Sequence, residues 1–97
     1  MKQFVIIAYD GLDAEASERR KKIRPFHLEG AKLLKDKNQF ITGGAILNED
    51  GQMTGSVMIV QFETEEDFQE WYKNEPYIKE GVWQNIEVKP FRVAVIQ

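Results

Sequence analysis

Short apolar runs alternate along this chain with charged, helix-forming stretches. Phe4-Val5-Ile6-Ile7-Ala8-Tyr9 is apolar throughout, β-branched and aromatic, and closes on Asp10-Gly11. Such a run predicts a strand with apolar side chains on both faces. A charged segment from about Asp13 to Asn38 follows, with Asp13 placed to cap a helix. Pro25 lies inside it. An interior proline removes an amide donor and crowds the preceding turn, so the pattern predicts two helical parts divided there. The second part carries two overlapping apolar stripes, Phe26-Gly30-Leu33-Leu34 and His27-Ala31-Leu34.

Phe40 to Leu47 predicts a second strand and Ser56 to Phe62 a third, joined as a hairpin through Asn48-Glu49-Asp50-Gly51. Asp-Gly supplies the positive φ that tight hairpins use. Thr64-Glu65-Glu66-Asp67 resembles a capping box with Asp in place of Glu. It opens a helix bearing Phe68, Trp71 and Tyr72, which ends before Pro76. Trp83 to Ile96 predicts the last strand, with Pro90 marking a bulge or a sheet edge. The order β-α-β-β-α-β is that of a ferredoxin-like α+β sandwich. Two helices cover only one face of a four-stranded sheet, yet Val5/Ile7/Tyr9 and Val57/Ile59 are as apolar as Phe4/Ile6/Ala8 and Met58/Val60/Phe62. A face of that kind is covered most simply by a second copy of the chain. The expectation is a homodimer packed sheet to sheet through the open face, closing a dimeric α+β barrel.

Composition narrows the chemistry. The 97 residues fit one domain, residues 1–97, with 42% hydrophobic and 30% charged positions. There is no cysteine, which removes disulfides, a thiolate nucleophile and a thiolate metal site. One histidine cannot build a histidine-rich metal centre, so no metal is expected; the expectation for cofactors is likewise none. The net charge of −3 gives no pull toward nucleic acid. The basic run Arg19-Arg20-Lys21-Lys22-Ile23-Arg24 lacks interleaved aromatics and reads as a solvated helix face. The opening apolar run is too short for a signal peptide, and no stretch approaches the ~20 residues of a membrane span. A cytoplasmic protein without membrane or nucleic-acid partners is expected.

His27 is the only side chain whose unperturbed titration straddles neutrality. It reads as a general acid or base at the edge of a pocket between helix and sheet, or as a helix histidine making one hydrogen bond. Arg24, one turn earlier, is placed to hold an anionic or carbonyl group. Glu75 stands out among sixteen carboxylates by its position before Pro76-Tyr77. A carboxylate bonded to an imidazole fixes its tautomer and raises its basicity. Tyr77 is placed to orient a polar substrate, or to pack its ring in the loop. Ser56 lacks a nucleophile elbow and reads as a pocket or sheet-edge residue. Gly43-Gly44 within a strand signals a bulge or a close approach to a ligand.

These residues together resemble the YCII-related (YciI-like) family over nearly the whole length. The resemblance rests on Phe4-Val5-Ile6-Ile7-Ala8-Tyr9-Asp10, Arg24-Pro25-Phe26-His27-Leu28, Gly55-Ser56, Glu75-Pro76-Tyr77 with Gly81-Val82, and Val88-Lys89-Pro90-Phe91. It implies a ferredoxin-like fold, a dimeric α+β barrel and an active site built on a histidine–aspartate pair. His27 matches that histidine, and the aspartate of the family's Asp-Pro-Tyr falls on Glu75, one methylene longer. Gly44-Ala45 stands where many members read Gly-Pro. Two function classes follow. One is a small cofactor-independent enzyme using His27 and Glu75 for proton transfer on a small polar or aromatic-derived metabolite, with Arg24, Ser56 and Tyr77 binding the substrate. Lyase, isomerase and hydrolase chemistry all begin that way. The other is a non-catalytic dimeric domain that binds a small ligand in the same pocket or regulates a partner.

Overall fold

The computed structural model describes residues 1–97 throughout. Seven elements run β1 (Lys2–Asp10), α1 (Ala16–Asp36), β2 (Phe40–Leu47), β3 (Met53–Phe62), α2 (Glu65–Asn74), α3 (Pro76–Lys79) and β4 (Trp83–Phe91). The strands form one sheet in the order β2-β3-β1-β4. All three pairings are antiparallel, as a ferredoxin-like fold requires.

Strand alternation decides what the helices cover. Phe4, Ile6, Ala8 and Asp10 of β1 point inward, as do Ser56, Met58, Val60 and Phe62 of β3, and all eight are buried. Phe68 of α2 stacks on Phe4 at 4.1 Å between ring centroids and meets Phe62 edge-on, joining the helical layer to the sheet. The opposite face carries Val5, Ile7, Val57 and Ile59, half-buried by their neighbours, with Tyr9 exposed. No helix is long and apolar enough to cross a membrane.

The hairpin between β2 and β3 turns where expected. Asn48 holds it, its Oδ1 accepting the amides of Asp50 and Gln52, and only Gly51 takes a positive φ, at 78°. The Thr64 hydroxyl accepts the Asp67 amide at 3.1 Å and caps α2. Pro90 lies on β4, an edge strand, where its missing donor costs the sheet nothing.

Three expectations are corrected. The helix is not divided at Pro25: α1 is continuous from Ala16 to Asp36. Pro25 and Lys21 both lie on the exposed side, so the carbonyl that loses its amide partner stays in contact with water. The inward stripe Arg20-Ile23-His27-Ala31-Leu34 carries on unbroken along the other side. Asp13 does not cap the helix; Glu15 occupies that position without a side-chain bond. The Asp13 carboxylate is taken by the Arg19 guanidinium at 2.6 and 3.2 Å, which holds Asp13 below the usual carboxylate range. The last strand stops at Phe91 rather than Ile96, and its pairing with β1 ends at Gln3↔Phe91. The Val93 amide still donates to the Gln3 side chain at 2.7 Å.

Candidate functional site

The inward face of α1 brings His27 over the end of the sheet where β1, β3 and β4 meet α3. Glu75 sits at the joint between two helices, as the last residue against α2 and the cap of α3. Pro76 follows in the first helical position, where a missing amide costs nothing and φ is already set. This arrangement buries the Glu75 carboxylate, which remains 2% exposed. Its Oε1 accepts the Tyr77 amide at 2.7 Å and meets His27 Nδ1 at 3.0 Å. A carboxylate oxygen can accept a proton donated by Nδ1, and in a neutral ring that arrangement would leave the lone pair on Nε2. One carboxylate oxygen thus serves the helix amide and the imidazole together.

The imidazole is clamped from the sides as well. Tyr77 lies parallel beneath it, with ring centroids 4.0 Å apart and planes 11° from parallel. Trp83 meets its edge at 5.8 Å. Tyr77 is wholly buried, and burial raises its phenol above the ordinary value, against a weaker opposite pull from Arg20 and Arg24. His27 thus makes one part-buried hydrogen bond, and the Tyr77 ring packs against it.

A second polar group lies alongside. Arg20 Nη1 contacts both oxygens of Asp10 at 2.9 and 3.0 Å, and Nη2 donates to Ser56 Oγ at 2.8 Å. Trp83 Nε1 donates to the same oxygen at 3.1 Å. The guanidinium rests over the Tyr77 ring, 4.8 Å from its centroid, which ties this group to the His27–Glu75 pair. Trp83 reaches Ser56 because the β1–β4 register shifts between Tyr9 and Asp10, turning Trp83 inward.

The sequence reading missed Asp10, Arg20 and Trp83. The basic run was expected to be solvated throughout, and for Arg20 that is corrected: it is 5% exposed. The signals were periodic. Arg20 stands four and seven residues before Arg24 and His27, on the stripe that continues through Ala31 and Leu34. Asp10 completes the inward alternation Phe4-Ile6-Ala8-Asp10 of β1.

Between α1 and the β2–β3 hairpin lies a cavity of about 140 Å³. Arg20, Arg24, His27, Ser56 and Tyr77 line it, with Phe40, Met53 and Met58 as apolar wall. Gly43 and Gly44 form part of its rim. A side chain at 43 would press on the Val57 carbonyl, 2.9 Å from the position of a Cβ. The bulges in this hairpin fall instead at Phe40/Thr42 and Ile46/Leu47. A larger groove of about 700 Å³ runs between α1 and α2, past Phe26, Leu33 and Trp71. Glu75 borders it, but His27 and the two buried hydroxyls do not. The small cavity is where the chemically able groups converge.

Fold and site together define a ferredoxin-like α+β protein with a part-buried histidine–carboxylate pair at a small cavity. The chain belongs to the YCII-related family, whose domain model matches residues 2–92. It is 37% identical over 95 residues to protein YciI of Escherichia coli O6:H1, covering 92% of this chain and 95% of that one. It is also 37% identical over 76 residues to the derivative of benzaldehyde biosynthesis cluster protein C of Emericella nidulans, covering 71% and 78% of the two chains. Among solved structures it resembles the 5-chloro-2-hydroxyhydroquinone dehydrochlorinase TftG of Burkholderia phenoliruptrix AC1100, in complex with 2,5-dihydroxybenzoquinone. That match has a TM-score of 0.78 at 24% identity over 95% of both chains.

Proposed function

We propose that this chain is a small enzyme that moves a proton on a small polar or aromatic-derived metabolite without a cofactor. The observation that carries the reading is the 3.0 Å contact between His27 Nδ1 and Glu75 Oε1 beside the cavity. It commits one ring nitrogen to the carboxylate and leaves Nε2 as the base. Glu75 acts as a positioning residue: it fixes the tautomer and stabilises the imidazolium formed when Nε2 takes a proton. Arg24 would anchor developing negative charge, with Ser56 and Tyr77 completing the polar lining. The likeness to TftG, solved with 2,5-dihydroxybenzoquinone, supports an enzyme on this fold.

The test follows proton exchange in D2O by NMR over a panel of small 2-oxo acids and hydroxylated quinones. Wild-type protein is expected to accelerate exchange or elimination for at least one member. His27→Ala should lose roughly 10²–10⁴-fold of that rate, the usual worth of a positioned acid–base group. Binding without exchange by wild-type protein would favour the non-catalytic ligand-binding domain.

The same reading includes a homodimer. Val5, Ile7, Val57 and Ile59 form a continuous apolar surface on the face that no helix covers. Packing it against a second copy would remove it from water and close the barrel. Equilibrium sedimentation is expected to give twice the chain mass, and Ile7→Lys to give the single-chain mass. A wild-type monomer would contradict the dimer.

A further inference from the structure

Hydrogen-bonding groups around the 140 Å³ cavity are unequally satisfied, and the imbalance has one sign. A hydroxyl can accept twice and donate once. Ser56 Oγ already accepts from Arg20 Nη2 and Trp83 Nε1, two groups that only donate. Its remaining capacity is its own O–H, for which the chain provides no acceptor. A cationic donor on the oxygen also polarises that O–H and strengthens it.

Tyr77 OH and Arg20 Nε are the two buried side-chain polar atoms with no hydrogen-bond partner. Both residues line the same cavity. Burial keeps the Tyr77 phenol protonated, so it too has a hydrogen to offer. Arg24 adds a further cation to the lining. No carboxylate lines the cavity: Asp10 is engaged by Arg20, and Glu75 Oε1 by Tyr77 and His27. The side chains thus present mainly unspent donors (the Ser56 and Tyr77 O–H, Arg20 Nε and the Arg24 guanidinium) against few acceptors, the Tyr77 oxygen and the free nitrogen of His27. Buried donors left unpaired favour a ligand that supplies acceptors and penalise one that supplies more donors.

We propose that the cavity selects a small, flat oxyanion, a carboxylate, phenolate or enolate whose oxygens only accept, seated on the Ser56 and Tyr77 hydroxyls with Arg24 beside it. Its volume is close to the ~150 Å³ of a protein cavity that takes up benzene, so one ring or its open-chain equivalent fits. The inference deepens the proton-transfer reading: such an anion would present its acidic position to His27 Nε2. A ligand that places an ammonium or amide N–H against Ser56 is disfavoured, because that oxygen already accepts twice and Arg20 and Arg24 stand beside it.

The test uses benzoate and benzamidine, which share a shape but carry opposite charge and hydrogen-bond polarity. Benzoate has no proton for His27 to remove, so its binding reports the donor set and not the proposed catalysis. The Trp83 indole N–H resonance, next to Ser56, serves as the reporter in an NMR titration. Benzoate should shift it, and benzamidine should not. Tyr77→Phe should weaken benzoate roughly ten- to hundred-fold, the worth of a hydrogen bond to a charged group. In the free protein it should raise the unfolding temperature, because the hydroxyl it removes has no partner. Ser56→Ala should also weaken benzoate, but it strips Arg20 and Trp83 of their acceptor and can unfold the chain, so Tyr77→Phe carries the decision. Benzamidine binding as tightly as benzoate, unchanged benzoate affinity in Tyr77→Phe, or no benzoate shift up to its solubility limit would each overturn the proposal. The exchange assay would then still decide the proton-transfer reading by itself.

Discussion

Removing the Asp10 carboxylate should expose how much of this fold rests on one buried ion pair. The Asp10 and Arg20 side chains are 5% and 6% exposed, and Arg20 Nη1 lies within 3.0 Å of both Asp10 oxygens. In Asp10→Ala the guanidinium keeps Ser56 as a partner but loses its counter-charge in a place water hardly reaches. Breaking a buried pair in this way costs about 3–5 kcal/mol. Domains of this size hold only about 5–15 kcal/mol in total, so a large share of the stability would go. With a urea m-value near 1.5 kcal/mol/M, the midpoint should fall by roughly 2–3 M. Far-UV circular dichroism in urea measures it. The double variant Asp10→Leu/Arg20→Met removes both charges and keeps similar volume, and Ser56 retains the Trp83 donor. It should recover to within about 1 kcal/mol of wild type, since apolar replacements of buried pairs are often neutral or stabilising. A loss under about 1 kcal/mol in Asp10→Ala, or no recovery in the double variant, would refute a sealed, mutually dependent pair.

Two further outcomes are expected. Pro25→Ala restores an amide donor inside α1 on its exposed side and should stabilise the protein by about 1–3 kcal/mol, read from thermal unfolding; an unchanged or lower midpoint would show that the proline is compensated elsewhere. Burial raises the Tyr77 phenol, so its folded-state value exceeds its unfolded one. The stabilisation from keeping it neutral is full below about pH 10 and is lost as pH climbs through the folded-state value. Stability should therefore decline above about pH 10, and Tyr77→Phe should blunt the decline; an identical alkaline profile in the variant would contradict the assignment.

The sequence made the sheet legible because alternation is local. Phe4/Ile6/Ala8 and Met58/Val60/Phe62 declared their shared face, and Asn48-Glu49-Asp50-Gly51 fixed the hairpin between β2 and β3. Helix continuity was not legible, since the penalty at Pro25 depends on which side of α1 the proline faces. That is decided by tertiary packing of the Arg20-to-Leu34 stripe. The end of β4 was hidden for a similar reason: Val93 to Ile96 are apolar enough for a strand, but the pairing with β1 stops at Gln3↔Phe91, which is a tertiary outcome. At the site, the position of Glu75 before Pro76 and the single histidine could be read directly. Their 3.0 Å contact could not, because 48 residues separate them. Arg20 was concealed by its neighbours. Inside a basic run one buried arginine resembles its four cationic neighbours until its helical phase is set against His27 and Leu34. Trp83 depended on a register shift that no local pattern announces.

The claim at the centre of this account is that Glu75 holds His27 with the proton on Nδ1 and Nε2 free. The most direct measurement is a long-range 1H–15N correlation spectrum of the imidazole, recorded at a pH where the ring carries one proton. The chain has a single histidine, so the signals assign themselves. The account predicts a protonated Nδ1 and an unprotonated Nε2, with that preference lost in Glu75→Ala. A ring protonated on Nε2 in the wild-type protein, or a tautomer indifferent to Glu75, would contradict it.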